Sequence, residues 1–546
     1  MLGSQLVIGA LKRHGVRCIF SLSGNQIMPL YDACIDAGIR IVHVRHEAAA
    51  VFMADAWSQV TGELGVAMLT AGPGLTNGIA PLYSAMQSES PVLLISGDSS
   101  VAEDGMGAFQ EMDQIAITKP LTKLSRRPVT PQELASSVDD AISIAFVGRR
   151  GPVHLALPFD LLSRESGIDH LPEIRGDKLA AKPDAARLEK IAMLLAQARK
   201  PVVLAGASAA RRGVRGEWQA LAAKLQAPAI ALESPRGLKD PSIGRFAELL
   251  PASDLLVLAG KPLDFTLGFG RANVLGSQPV VVLDSDPAVL DRAHRLLGDR
   301  LALAVQCDPA ALLQNVAQKV ADGSAMPNRA AWIDEVTAAV AARDLPAAAG
   351  NTQGGISSRE LCEQVQRQLE SVPEPVLVCD GGEFGQWAQA FCRAPVRIIN
   401  GTSGAIGGGI CYAIAAKIAR PEATVIALMG DGSSGFHFME FDTAVRENAA
   451  FVAVIGNDLR WNAEHVIQLR TYGPDRLIGC ELAATARYHE AAAALGGFGA
   501  GVQSLEELEN ALKAAIASKL PACVNVMIEG QPAPTFSAAA ASTSAH

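Results

Sequence analysis

The chain has 546 residues, of which 49% are apolar, 19% charged and only 5% aromatic, with 50 glycines. That length suggests three or four domains, and the composition excludes a disordered chain. A net charge of −9 with no Lys/Arg run speaks against a nucleic-acid partner, and no apolar stretch reaches the ~20 residues needed to span a membrane.

The N-terminal MLGSQLVIGALKRHG has helical spacing and carries neither a basic leader nor a small-residue cleavage site. Nine cysteines stand at 18, 34, 307, 362, 379, 392, 411, 480 and 523, with no C-x-x-C pair. That usage fits reduced thiols and a cytoplasmic location. Short apolar runs then alternate with amphipathic helical patterns, which predicts parallel sheets covered on both faces. The first block holds RIVHV (40–44), VAMLT (66–70), PVLLIS (91–96) and GPVHLALP (151–158), before a charged irregular segment at 163–185. A second block holds KPVVLAGA (200–207), SDLLVLAG (253–260) and QPVVVLDSD (278–286), and an Ala-rich linker follows at 323–356. The third holds PVLVCDGG (375–382), ATVIALMGDG (423–432) and AFVAVIGND (450–458). The expected architecture is three doubly wound α/β domains, at 1–165, 186–335 and 355–530, with a flexible low-complexity tail at 531–546.

The strongest chemical signal lies in the third block. Val425–Met429 reads as a strand, and Gly430, Asp431, Gly432 and Ser433 as a tight turn into a helix. Phe451–Ile455 reads as a second strand, ending at Gly456, Asn457 and Asp458. A right-handed β-α-β unit sets those two loops side by side at the carboxyl edge of the sheet. Glycines admit a ligand to the backbone, and the helix start offers N–H groups to an anion. Asp431 and Asp458 could hold a hard cation against that anion, and an all-oxygen ligand set suits Mg²⁺. In the first block, Glu47 stands just after a strand in the first turn of a helix, and TAGPGLTN (70–77) forms a second Gly/Pro turn. Taken singly, these are a helix-start carboxylate and a tight connection.

Together, the Arg-His-Glu helix start, the GPG-x-TN turn and the distant GDGS with its partner loop resemble the thiamine-diphosphate enzymes of the acetolactate synthase group. GAFQEMDQIAITKPLTK (107–123), GPVHLALPFDLL (151–162) and DGGEFGQWAQAF (380–391) extend the likeness over nearly the whole chain. The resemblance implies pyrimidine-binding, central and diphosphate-binding domains in that order. It implies that Glu47 shares a proton with N1′ of the aminopyrimidine and favours its imino tautomer. Asp431 and Asp458, with the Arg460 carbonyl, would ligate Mg²⁺, while Gly430, Gly432 and Ser433 would meet the diphosphate. Ile406 would wedge the cofactor into a bent form, a role suited to a stiff β-branched side chain. Gly404 would accept from the aminopyrimidine, and Pro73, Asn77 and Glu383 would complete the cofactor site. Gln26 and Gln110 are candidate substrate contacts.

The chain departs from that group at several points. Asp458 stands where the group has a second asparagine. Ile467 falls where biosynthetic acetolactate synthases have the tryptophan of a Gln-Trp-Gln run. The path from Arg245 to Asp254 lacks the Gly-Met-His-Gly stretch that helps hold FAD, so FAD is not expected. GKPLDFTLGFG (260–270) is closer to 2-hydroxyacyl-CoA lyases and oxalyl-CoA decarboxylases. The leading expectation is a cytoplasmic homodimer or homotetramer that decarboxylates a 2-oxo acid such as pyruvate. It would then transfer the hydroxyalkyl unit to an acceptor carbonyl. The alternatives are a 2-hydroxyacyl-CoA or aromatic 2-hydroxy-ketone lyase, or a non-catalytic relative that keeps only the fold.

Overall fold

The apolar runs become parallel strands, buried on both faces and therefore apolar without alternation. The computed structural model describes residues 1–173, 185–207, 215–323, 326–344 and 355–536. The parts of the expected linkers and tail at 174–184, 324–325, 345–354 and 537–546 lie outside the described residues.

The first sheet is built from β1 (Cys18–Ser21), β2 (Arg40–His43), β3 (Gly65–Leu69), β4 (Val92–Asp98), β5 (Ser125–Arg126) and β6 (Val153–Pro158). Its spatial order is β2-β1-β3-β4-β6-β5. The central sheet joins β7 (Pro201–Ala205), β8 (Ala229–Ala231), β9 (Leu255–Ala259), β10 (Val280–Asp284) and β11 (Leu301–Gln306), ordered β11-β10-β9-β7-β8. The third contains β12 (Pro375–Cys379), β13 (Val396–Ile399), β14 (Thr424–Gly430), β15 (Val452–Asn457), β16 (Phe498–Val502) and β17 (Ala522–Met527). It runs β13-β12-β14-β15-β17-β16, so the outer domains share one topology. All ten strands read from the sequence are present, within three doubly wound α/β domains.

Two alanine-rich helices join the outer domains. Glu47–Thr61 is buried from Ala48 to Ser58, and Gly409–Ala419 from Gly409 to Ala416. A helix apolar all round belongs inside, and here each helix covers the other. Phe52 and Tyr412 meet edge to face at 5.5 Å. The Tyr412 hydroxyl donates to Oδ2 of buried Asp55 at 3.2 Å, and Ser90 Oγ donates to Oδ1 at 2.5 Å. One apolar core therefore runs from the first domain into the third. The central domain is tied on differently. Arg149 of the first domain ion-pairs with Glu89 and reaches across to Asp284 of β10 at 2.7 Å.

Candidate active site

In an open parallel sheet, ligands bind beyond the carboxyl ends of the strands, where the strand order reverses. In the third sheet that point lies between β12 and β14. The loops leaving these strands and β15 line one pocket, which contains Glu383, Ile406, Gly430, Asp431, Gly432, Ser433, Asp458 and Arg460. Eight of the residues singled out in the sequence thus converge here. Trp461 also lines the pocket, and a Cβ at position 432 would stand 2.6 Å from its ring. Glycine is required there by that contact.

The pocket is strongly acidic. Asp431 is 2% exposed, and burial pushes its carboxyl up to about 6 although Oδ1 accepts from the Gly432 N–H at 3.0 Å. Its Oδ2 is buried with no hydrogen-bond partner among the described residues. Asp458 is pushed up to about 7, first by burial and then by the Asp431 charge. Two crowded carboxylates, one with an orphaned oxygen, make a site that calls for a cation. Its donors are oxygens, which fits Mg²⁺. No group of three or more His, Cys, Asp or Glu among the described residues could hold a metal by itself. A cation here would complete its shell from backbone oxygens, water and an anionic ligand.

One important residue escaped the sequence reading. Asp380, at the end of β12, is fully buried, and its carboxylate accepts three backbone N–H groups. Oδ1 takes those of Gly381 at 2.6 Å and Gly407 at 2.9 Å, and Oδ2 takes Gly409 at 2.9 Å. It thereby fastens the loop that presents Ile406 to the pocket. Gly404, in the same loop, is exposed with φ +70° and does not line the pocket. An Asp closing a strand before two glycines was the available signal. Residues 531–536, expected as the start of a flexible tail, are packed against this site. Ala533 N–H donates to Glu383 at 2.8 Å, Trp387 Nε1 to the Pro532 carbonyl at 3.1 Å and Asn462 Nδ2 to the Gln531 carbonyl at 3.0 Å.

The first domain carries the rest. Glu47 opens its helix behind His46, whose Nδ1 accepts the Ala48 N–H at 3.1 Å. It is half-buried at the surface of the chain, and Asn77 Nδ2 donates to its Oε2 at 2.9 Å. Pro73 starts the short helix Pro73–Asn77 that delivers Asn77. Nearby, Thr70 Oγ1 donates to Gln26 Oε1 at 2.5 Å, and Gln26 Nε2 donates to Gln110 Oε1 at 2.9 Å. Gln110 has φ +62°, a costly conformation for a residue other than glycine and one that recurs at functional sites. None of these first-domain residues lines the pocket of the third domain.

Three family descriptions match the chain in order. Residues 1–117 match the thiamine pyrophosphate enzyme N-terminal TPP binding domain, 188–316 the central domain, and 380–526 the C-terminal TPP binding domain. Among curated proteins, the acetolactate synthase large subunit of Mycobacterium tuberculosis is 33% identical over 542 residues, covering 97% of this chain and 96% of that protein. The 2-hydroxyacyl-CoA lyase 2 of Bos taurus is 31% identical over 546 residues, covering 91% and 84% respectively. The human 2-hydroxyacyl-CoA lyase 2 is 30% identical over 549 residues, with the same coverage.

Proposed function

This chain belongs to the thiamine pyrophosphate enzymes, and from that premise we propose that it makes or breaks a C–C bond beside a carbonyl. The favoured reaction decarboxylates a 2-oxo acid such as pyruvate and passes the two-carbon unit to an acceptor carbonyl. The carrying observation is the pair of half-sites: Glu47 held by Asn77 in the first domain, and the Asp431–Asp458 pair with its orphaned oxygen in the third. Bound thiamine diphosphate supplies a nucleophilic carbon and an electron sink for such chemistry. Glu47 holds and moves the proton at N1′ of the aminopyrimidine, and Asn77 fixes the orientation of its carboxyl. Pro73 starts the turn that carries Asn77 to the aminopyrimidine.

Asp431 and Asp458, with the Arg460 carbonyl, would hold the Mg²⁺ that neutralises the diphosphate. Backbone N–H groups of the Gly430–Ser433 turn bind the diphosphate oxygens. Ile406 would support the cofactor from the Asp380-fastened loop, Gly404 would offer its carbonyl to the aminopyrimidine and Glu383 would close the pocket wall. Gln26 and Gln110, aligned by Thr70, contact the substrate. The pocket of the third domain is lined by no residue of the first, which supports a working unit that is a homodimer or a larger homo-oligomer, each site shared by two chains in a closed two-fold pair. No helix among the described residues is long and apolar enough to cross a membrane, and all nine cysteines are buried and free of disulfides, which supports a cytoplasmic location.

A second reading is a 2-hydroxyacyl-CoA lyase. The Phe265–Gly270 turn, with Phe265 and Phe269 exposed, favours it, as does the near-full-length likeness to the bovine and human lyases. A panel of pyruvate, 2-oxobutyrate, oxalyl-CoA, a 2-hydroxyacyl-CoA and benzoin, read by mass spectrometry, separates the two. Turnover of pyruvate to a ligated product upholds the first, and cleavage of the acyl-CoA alone replaces it with the second.

A further inference from the structure

The backbone just before Glu47 is held from outside its own domain. Glu440 opens the helix Glu440–Arg446, which follows the Asp431–Ser434 turn by five residues in the third domain. It is 1% exposed. Its Oε1 accepts the N–H groups of Arg45 at 3.0 Å and His46 at 3.1 Å, and its Oε2 accepts Thr443 Oγ1 at 2.6 Å. Along the same helix, Arg446 Nη2 donates to the His43 carbonyl at 2.7 Å. Between turn and helix, His437 Nδ1 donates to the Gly407 carbonyl at 2.8 Å. The His437 ring meets His46 edge-on at 5.9 Å and Phe52 at 5.5 Å.

Burying a carboxylate is expensive unless hydrogen bonds replace its water. Here the replacement donors are the two amides that set the position of the next residue. β2 ends at His43 and the helix begins at Glu47; between them the Val44 N–H is taken by the Ser21 carbonyl at 3.0 Å and the Arg45 side chain reaches Asp442 at 3.8 Å, which leaves the Arg45 and His46 amides to Glu440. An error of about 1 Å in placing a catalytic group costs on the order of 10²-fold in rate.

We propose that Glu440 is a positioning residue for Glu47. It clamps Arg45 and His46 from the diphosphate-binding domain of the same chain, and so fixes where the Glu47 carboxyl stands. The inference rests on the reading that Glu47 manages the proton of the aminopyrimidine in a site shared between two chains. It has a consequence that sequence order does not suggest. Glu440 lies nine positions after Asp431, yet it serves a different cofactor from the one Asp431 holds.

The test needs no substrate. The full-length protein is loaded with thiamine diphosphate and Mg²⁺ in D₂O, and loss of the C2 proton is followed by acid quench and proton NMR. Glu440→Ala should slow the exchange by roughly 10- to 100-fold, with cofactor affinity by fluorescence titration held within about threefold. Glu440→Gln should recover most of the rate, because its amide oxygen still accepts both N–H groups. If Glu440→Ala is not folded, Thr443→Val carries the comparison by removing the hydroxyl that steadies Glu440. Mixed dimers give the decisive pattern. Glu440→Ala chains should regain a normally exchanging site with Asp431→Ala chains and gain nothing with Glu47→Gln chains. The reverse pattern would place Glu440 in the service of Asp431 and overturn the proposal. So would near-wild-type exchange in both Glu440→Ala and Thr443→Val while Glu47→Gln is slow. Two controls address the underlying reading. Wild-type exchange in Glu47→Gln, or no recovery on mixing Glu47→Gln with Asp431→Ala, would remove that reading and the proposal with it.

Discussion

Replacing Asp431 by Asn should stabilise the cofactor-free protein while abolishing its cation site. The carboxyl titrates at about 6 in the fold against an ordinary 3.8. A raised acid pKa means that the folded state holds its proton more tightly than the unfolded chain, so ionisation works against folding as pH rises. At ~1.4 kcal/mol per unit the burden is ~3 kcal/mol, fully present above pH ~6 and gone below pH ~4. With 2% exposure, solvent does little to reduce it. Asparagine keeps an acceptor for the Gly432 N–H and replaces the orphaned Oδ2 with a donor close to Asp458. Urea unfolding of chelator-treated proteins should therefore favour the variant by ~3 kcal/mol at pH 8 and by about half that at pH 5. Adding Mg²⁺ and thiamine diphosphate should reverse the order, because only the wild type gains from binding. A variant no more stable than wild type at pH 8, or one whose advantage is unchanged at pH 5, would refute the argument.

Glu47→Gln should keep cofactor affinity within a few-fold while C2 exchange and turnover fall by ~10²- to 10⁴-fold; a fully active variant would exclude Glu47 from proton transfer. Asp380→Asn turns a donor toward the Gly409 N–H, which should cost ~1–3 kcal/mol in chemical unfolding. Cofactor affinity should drop by about tenfold as the Ile406 loop loosens, and an unchanged titration would show that the loop needs no such anchor. The purified protein should show no flavin band near 450 nm, because the short helix Phe246–Ala252 leads almost directly into β9; one flavin per chain would correct this.

The fold was legible where burial is two-sided. Runs such as VLLIS and VIALMG can only be central parallel strands, and they are. Of the seven strands that escaped, β5, β8, β11, β13 and β16 lie at sheet edges, while β1 and the six-residue β17 lie inside their sheets. β5 has two residues, and β16 reads FGAGV, whose glycines suggest a turn. Gly499 is there because any Cβ would stand 2.0 Å from the His489 carbonyl oxygen, a packing constraint with no local signature. The pocket residues were readable because they cluster in glycine-punctuated loops at strand ends. Asp380 and Glu440 escaped, because the backbone amides that give them their roles, Gly407 for the one and Arg45 for the other, lie 27 and 395 positions away. The shared order of the outer sheets was equally invisible, since topology can persist where no sequence repeat remains.

The helix pair at the centre of the molecule also decides how the protein can be cut. Glu47–Thr61 and Gly409–Ala419 lie more than 300 residues apart, yet each is the other's wall. Expressed alone, either outer domain would present an alanine-lined apolar face to water and leave Asp55 or Tyr412 without its counterpart. Neither is a portable module, and truncation at the linkers should yield aggregates rather than half-enzymes. The central domain meets the first through the ion pairs of Arg149, and Arg343, whose Nη2 donates to the Ser242 carbonyl, ties it to the third by donating Nε to the Ala390 carbonyl at 2.8 Å, so cutting it out would break contacts with both.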